Sequence, residues 1–217
     1  MDAIVGTEAL TLSLDPSGDV SGATAPVERP FVALGWVLPV YDPMLAVFGR
    51  LSAALGMPFC HDELLARAGI QPGHRVLDIG CGTGTLAVRA RQEHPQAIVV
   101  GLDPDPAVLA RARAKAEACG VTVRFDRGYA DSLPYPDGSF DRLLCSLVVR
   151  LLAEQERRHA CTEMRRVLTP TGSAHLVEFG TGEDVAADLQ RAGFTTGALA
   201  RPSSRLAPRM TIIDARL

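Results

Sequence analysis

The chain reads as an α/β protein: a doubly wound, mostly parallel seven-stranded sheet with an antiparallel C-terminal strand pair and an N-terminal helical cap. Three observations predict this. Short β-branched runs such as RVLDIG and AIVVGLD alternate with stretches of helical apolar spacing such as TLAVRARQEHP, the pattern of a parallel sheet covered on both faces. The rhythm breaks near the end, where ALARPSS and RMTIIDARL are extended segments with no helix between them. Finally, 217 residues that are 47% hydrophobic suffice for one core of ordinary size.

Taken in order, residues 1–30 are rich in Ala, Gly, Ser, Thr and Asp, with few large apolar groups to offset the entropy of ordering them. They read as a flexible extension, with a marginal hairpin (ALTLSL before DPSGD) as the rival reading. Residues 31–72 form the cap. Asp42 with Pro43 opens a helix that Gly56 and Pro58 close, and HDELLARAG follows as a second helix ahead of the turn QPGH. Residues 73–217 form the core, in one domain with the cap. Its first strand is RVLDIG and its second AIVVGLD, joined by a helix that stops at Pro95. The helix DPAVLARARAKAEACG opens at Asp105 with Pro106 and closes at Gly120. Strands TVRFDRG and FDRLLCSLV come next, then the amphipathic helix AEQERRHACTEMRRVL, the turn TPTG, the strand SAHLVEFG and the helix EDVAADLQRAG.

Charge and cysteine usage narrow the function classes. A formal net charge of −3 supplies no basic field for a polyanion, so nucleic acid is not an expected partner. Cys60, Cys81, Cys119, Cys145 and Cys161 are scattered without metal-ligand spacing, which points to a reducing cytoplasm, no disulfide framework and no metal. The start MDAIVGTEAL lacks the basic flank of a secretory signal, and FVALGWVLPVY is interrupted by Pro39 and too short to span a bilayer. No membrane insertion is expected.

The stretch most informative about chemistry is RVLDIGCGTG. A doubly wound sheet binds its ligand beyond the carboxyl ends of the strands, over the first strand-to-helix turn. Here that turn carries Gly80, Gly82 and Gly84, preceded by Asp78. Bare glycines let a ligand approach the backbone. Asp103 ends the second strand about 20 residues on, the place of a ribose-hydroxyl acceptor. The spacing is GxGxG, not the GxGxxG of a pyrophosphate-binding dinucleotide site, and the turn holds no Lys or Arg.

VLDIGCGTG, GLDPDPAVLARAR, ADSLPYPDGSFDRLLCSLVV and EMRRVLTPTG together resemble the successive motifs of class I S-adenosylmethionine-dependent methyltransferases, over roughly residues 35–217. The resemblance is nearest to the ubiquinone and menaquinone biosynthesis branch. It implies a Rossmann-like sheet, S-adenosylmethionine as cofactor with S-adenosylhomocysteine as product, and methyl transfer to a small apolar or aromatic metabolite. It also implies that Gly80, Cys81, Gly82 and Gly84 line the methionine part, that Asp78 holds the ammonium and Asp103 the ribose hydroxyls. Pro104, Ala130, Asp131 and Ser146 complete the cofactor set, and the protein is a monomer or homodimer. Two departures stand out: Gly128 is followed by Tyr129, with Asp131 two residues later, and Arg150 and Leu151 occupy positions where many relatives carry a His pair.

Further candidates follow from placement. Tyr41 is placed to lie over the cofactor and, with Glu178 at the crevice end of the fifth strand, is a candidate for acceptor chemistry. Tyr135 is a second candidate base, and Arg150 an anion holder. His175 reads as a satisfied core histidine and His61 as exposed. The alternatives are a non-catalytic S-adenosylmethionine-binding module, an NAD-dependent oxidoreductase on the same sheet, and an aminopropyl transferase. SLVVRLL lacks the acids the last would need.

Overall fold

The structure, a computed structural model, describes residues 60–200 and 210–217; the cap's first helix and Tyr41 lie outside them. Seven strands make one sheet: β1 (Arg75–Ile79), β2 (Ile98–Asp103), β3 (Arg124–Arg127), β4 (Phe140–Ser146), β5 (Leu168–Phe179), β6 (Thr195–Thr196) and β7 (Met210–Arg216). Their order is β3-β2-β1-β4-β5-β7-β6. β1 to β5 pair in parallel, while β7 runs antiparallel between β5 and β6. The chain steps outward from β1 to β3, returns to β4 and steps outward the other way, so the order reverses between β1 and β4. Their carboxyl ends therefore frame the crevice.

Alternation along the strands divides the core in two. From β1, Leu77 and Ile79 join one cluster with Val100, Leu143, Leu176 and Ile213. That cluster is closed by Cys161, Met164 and Val167 of α4 (Glu154–Val167) and by Val185 and Leu189 of α5 (Glu183–Arg191). Val76 faces the other way, with Val99, Leu144, Val177 and Ile212. There it meets α1 (Cys60–Ala68), α2 (Thr85–Glu93) and α3 (Pro106–Ala118). Each fully buried leucine or isoleucine contributes roughly 1.5–3 kcal/mol. Both faces demand such residues, which is why the strands are near-continuous apolar runs.

Helix starts follow local chemistry. Asp105 caps α3, its carboxylate accepting from the amides of Ala107 at 2.8 Å and Val108 at 3.4 Å, with Pro106 in the first turn. α2 starts after Gly84, which offers no side-chain cap.

Three expectations are corrected. TPTG is not a turn between helix and strand but part of β5. Between the pairs Phe140↔Leu168 and Arg142↔Ser173, β4 advances two residues and β5 five, so TPTG is the extra length of a bulge. ALARPSS supplies only one bridge, Ala200↔Ile212, within the described residues. The edge partner of β7 is the earlier pair Thr195–Thr196. His61 is buried, because α1 turns it inward beside Cys60, Leu64 and Leu65.

Candidate functional site

The turn after β1 is bare for two separate reasons. A Cβ on Gly80 (φ +66°) would fall 2.4 Å from Val148 Cγ2, so glycine here lets the turn after β4 close against the turn after β1. Gly82 (φ +54°) has no heavy atom of the described residues within 4 Å of where a Cβ would stand. Its face is open. The turn is tied down from below: Cys81 donates its amide to the Leu102 carbonyl at 2.9 Å, and Gly84 donates to the Cys81 carbonyl at 2.9 Å. Lys115, on α3, donates to the hydroxyls of Thr83 at 2.9 Å and Thr85 at 2.7 Å. No motif announces this brace, because it lies 30 residues from the turn it supports.

Two carboxylates, the buried Asp78 and the half-buried Asp103, flank the open face. Asp103 accepts from the amide of Gly82 at 3.0 Å through Oδ2 and from that of Asp105 at 3.0 Å through Oδ1, which locks the turn to the tip of β2. Burial nonetheless holds its carboxyl above the ordinary range. Asp78, on the helix side of β1, is 1% exposed. It accepts from the Ala87 amide, standing in for the cap α2 lacks, while its Oδ2 has no hydrogen-bond partner among the described residues. Desolvation chiefly, with the Asp103 charge adding to it, pushes Asp78 up to about 8. Neither acid has a cationic partner among the described residues.

The other wall comes from β4 and the segment after β3. Ser146, ending β4, shares a hydrogen bond of 3.0 Å with His61 Nε2, and burial pulls His61 down to about 4, so the ring is neutral near pH 7. Pro104 follows Asp103 and accepts from Arg127 Nε at 3.1 Å. Ala130 and Asp131 lie half-buried in the loop where Tyr129 bridges Ser132. Leu147 adopts φ +61°, an uncommon conformation for a branched side chain, and swings Val148 toward Gly80.

Glu178 is buried at the end of β5 and serves that strained turn. Its Oε1 accepts from the Val149 amide at 3.0 Å, with the amides of Val148 and Arg150 also directed at the carboxylate. Desolvation outweighs these bonds and raises its carboxyl to about 7. Tyr135 is buried too, its hydroxyl donating to Asp126 Oδ2 at 3.0 Å and its ring set edge-on to Phe140. Arg150 is exposed and spends a donor on the Phe179 carbonyl at 3.0 Å. His175 bridges Asp214 Oδ1 and Ser173 Oγ, both at 2.8 Å, as a core histidine does. Cys60, Cys81, Cys145 and Cys161 are buried, with burial raising every one of these thiols. Among the described residues no cluster of His, Cys, Asp and Glu suits a metal, and no helix is long and apolar enough to cross a membrane.

The site thus joins Gly80, Cys81, Gly82, Gly84, Asp78, Asp103, Pro104 and Ser146 around the ends of β1, β2 and β4. This donor set fits S-adenosylmethionine, whose sulfonium and ammonium are cations and whose ribose offers hydroxyl donors. A pyrophosphate would meet two acids, one of them buried, and no basic group in the turn.

Comparison with known proteins agrees. Residues 76–172 match the family model described as a methyltransferase domain. The chain is 45% identical over 105 residues to a demethylmenaquinone methyltransferase of Deinococcus radiodurans, a match covering 48% of this chain and 43% of the relative. It spans about half the length of the curated relatives it matches. Among solved structures, an S-adenosylmethionine-dependent methyltransferase from Aquifex aeolicus superposes with a TM-score of 0.63 at 19% identity, covering 72% of this chain and 89% of the other. The [4+2]-cyclase SpnF superposes with a TM-score of 0.66 at 23% identity, covering 72% and 79%. At these identities the structures bear on the fold alone.

Proposed function

We propose that this chain is a class I S-adenosylmethionine-dependent methyltransferase, as its match to a methyltransferase domain over residues 76–172 supports, and that it transfers a methyl group to a small apolar or aromatic metabolite. One observation carries the reading: the open face of Gly82 stands between two carboxylates, the buried Asp78 and the half-buried Asp103, that lack a cationic partner among the described residues. Such a pair gains from a bound cation more than from any neutral or anionic ligand.

When bound, the cofactor supplies a methyl group on a positively charged sulfur, activated for in-line displacement. What remains for the protein is to bind, align and exclude water. Asp103 accepts from the ribose hydroxyls with the lone pairs its two amide bonds leave free. Asp78 Oδ2 takes the ammonium, directly or through water. The backbone of Gly80 to Gly84, with Cys81, walls the methionine part, and Pro104, Ala130, Asp131 and Ser146 wall the nucleoside. Glu178 acts as a positioning residue: by gathering the amides of residues 148–150 it holds Val148 against Gly80 and so fixes the gap between the turns after β1 and β4. Tyr135 and Arg150 take no part in the chemistry.

The demethylmenaquinone methyltransferase is named for a quinone acceptor, and a quinone-like ring is the acceptor class we favour for this chain. Because a [4+2]-cyclase shares the fold, turnover decides and binding alone does not. Labelled S-adenosylmethionine is incubated with the purified chain and a panel of phenols, hydroquinones, amines and thiols. The expected result is label in an organic-extractable, mass-shifted ring compound. Transfer only to protein or RNA would overturn the acceptor class, and binding of S-adenosylhomocysteine without turnover would overturn catalysis.

A further inference from the structure

At the opposite end of the sheet from the crevice lies a cleft of about 320 Å³ at the carboxyl end of α1, bordered by the starts of β4 and β5 and the end of β7. Its floor is a single row of the sheet. Arg142 pairs with Ser173 and Ser173 with Arg216, so the three side chains share one face and the two arginines flank the serine. Arg142 is held in place by two backbone carbonyls, with Nε on Ala68 at 2.7 Å and Nη1 on Asp141 at 2.7 Å. The Arg216 side chain is exposed and makes no hydrogen bond or ion pair among the described residues. Neither has a carboxylate partner there. Burial disfavours the charge of Arg142, the nearby Asp141 supports it and Arg216 opposes it as a like charge, and both positive charges reach the buried His175.

The nearby acids hydrogen-bond to other partners. Asp214 is engaged by Arg67 Nη1 at 3.0 Å and by His175 at 2.8 Å, and Glu63 by Arg67 at 3.2 Å and 3.1 Å. The Asp141 carboxylate turns to the amide of Arg75 at 2.8 Å. Because Asp214 faces Nδ1 of His175, that nitrogen carries the proton, and the Ser173 hydroxyl donates to Nε2. The floor between the arginines is therefore neutral. Two guanidiniums lining one cleft with no carboxylate hydrogen-bonded to either form an arrangement that a bound anion stabilises, and the donors Arg142 has left, with the fork of Arg216, suit a tetrahedral oxyanion. Since Arg142 is already tethered, little side-chain freedom is lost on binding.

We propose that this cleft binds a phosphate group, as inorganic phosphate or as the head of a small phosphomonoester, between Arg142 and Arg216 with the Thr171 hydroxyl at its rim. The site does not depend on the methyltransferase reading. Its ligand neither reaches nor competes for the turn at Gly82.

The test is calorimetric titration of the full chain with inorganic phosphate and with methyl phosphate, at fixed ionic strength balanced with chloride. Saturable binding of either probe is expected, weakened about tenfold in R216Q, which removes one charge-assisted contact of about 1.4 kcal/mol or more. R216Q leaves packing untouched because the side chain is exposed. The exposed Arg111→Gln on α3 and Asp103→Ala should both keep wild-type phosphate affinity. Binding that does not saturate, or that is equal in wild type and R216Q, overturns the proposal. So does an equal loss in R111Q, which would mark a diffuse charge effect.

Discussion

Placing a methyl group on Gly80 and on Gly82 separates the two reasons for the bare turn. Both positions have positive φ, +66° and +54°, and an alanine in left-handed backbone costs roughly 1–2 kcal/mol. At Gly82 nothing is added to that by the described residues, none of which comes within 4 Å of the new Cβ. At Gly80 the Cβ would stand 2.4 Å and 2.8 Å from the two methyl carbons of Val148, and forcing a carbon into a filled site adds about 1–3 kcal/mol. Val148 has little room to retreat, since the Glu178 carboxylate grips the backbone of its turn. The expected losses are thus about 1–2 kcal/mol for G82A and about 2–5 kcal/mol for G80A. Urea denaturation followed by circular dichroism measures both, and Val148→Ala in the G80A background should recover most of the difference. Equal losses in the two single variants, or no recovery in the double variant, would refute the claim that Gly80 exists for Val148.

Two further outcomes are expected. Glu178 rises from its ordinary 4.5 to about 7, so the folded state keeps a proton that the unfolded chain has released. Its favourable contribution is present below the unfolded value and is lost as pH rises through about 7. With each tenfold change in proton affinity worth about 1.4 kcal/mol, wild type should lose up to about 3 kcal/mol more than Glu178→Gln between pH 5 and 8, since the amide oxygen still accepts from Val149. Parallel stability curves would count against it. Tyr135→Phe should cost about 1 kcal/mol for its lost bond to Asp126 and leave kcat unchanged. A tenfold fall in kcat with S-adenosylhomocysteine affinity intact would restore Tyr135 as a base.

What could be read from the sequence was what neighbouring residues decide. β1 and β2 announce themselves as apolar runs, and Asp105 with Pro106 marks the start of α3, since cap and first turn lie within four residues. The glycine turn and Asp103 were legible because both contacts they make, Gly82 to Asp103 and Asp103 to Asp105, follow from strand tips brought side by side in any doubly wound sheet. What stayed hidden depends on distant partners. The burial of His61 rests on Ser146, 85 residues away, and the brace from Lys115 on a helix that must first dock. TPTG carries turn residues yet lies within a strand, because pairing with β4 resumes at Ser173 and absorbs the surplus as a bulge. Glu178 sits at the crevice end of β5, as its place in SAHLVEFG implies, but its duty to the amides of residues 148–150 appears only when a strained turn is folded against it.

The central claim, that the turn at Gly82 with Asp78 and Asp103 holds an adenosyl sulfonium, is tested most directly by isothermal titration calorimetry of S-adenosylhomocysteine into wild type and Asp103→Ala. Their folded state is verified by circular dichroism under the same conditions. Tight one-to-one binding by wild type and a loss of at least about tenfold in the variant, the worth of one charge-assisted hydrogen bond, is the result this account predicts. Equal affinity in the two proteins, or no binding by wild type, would contradict it.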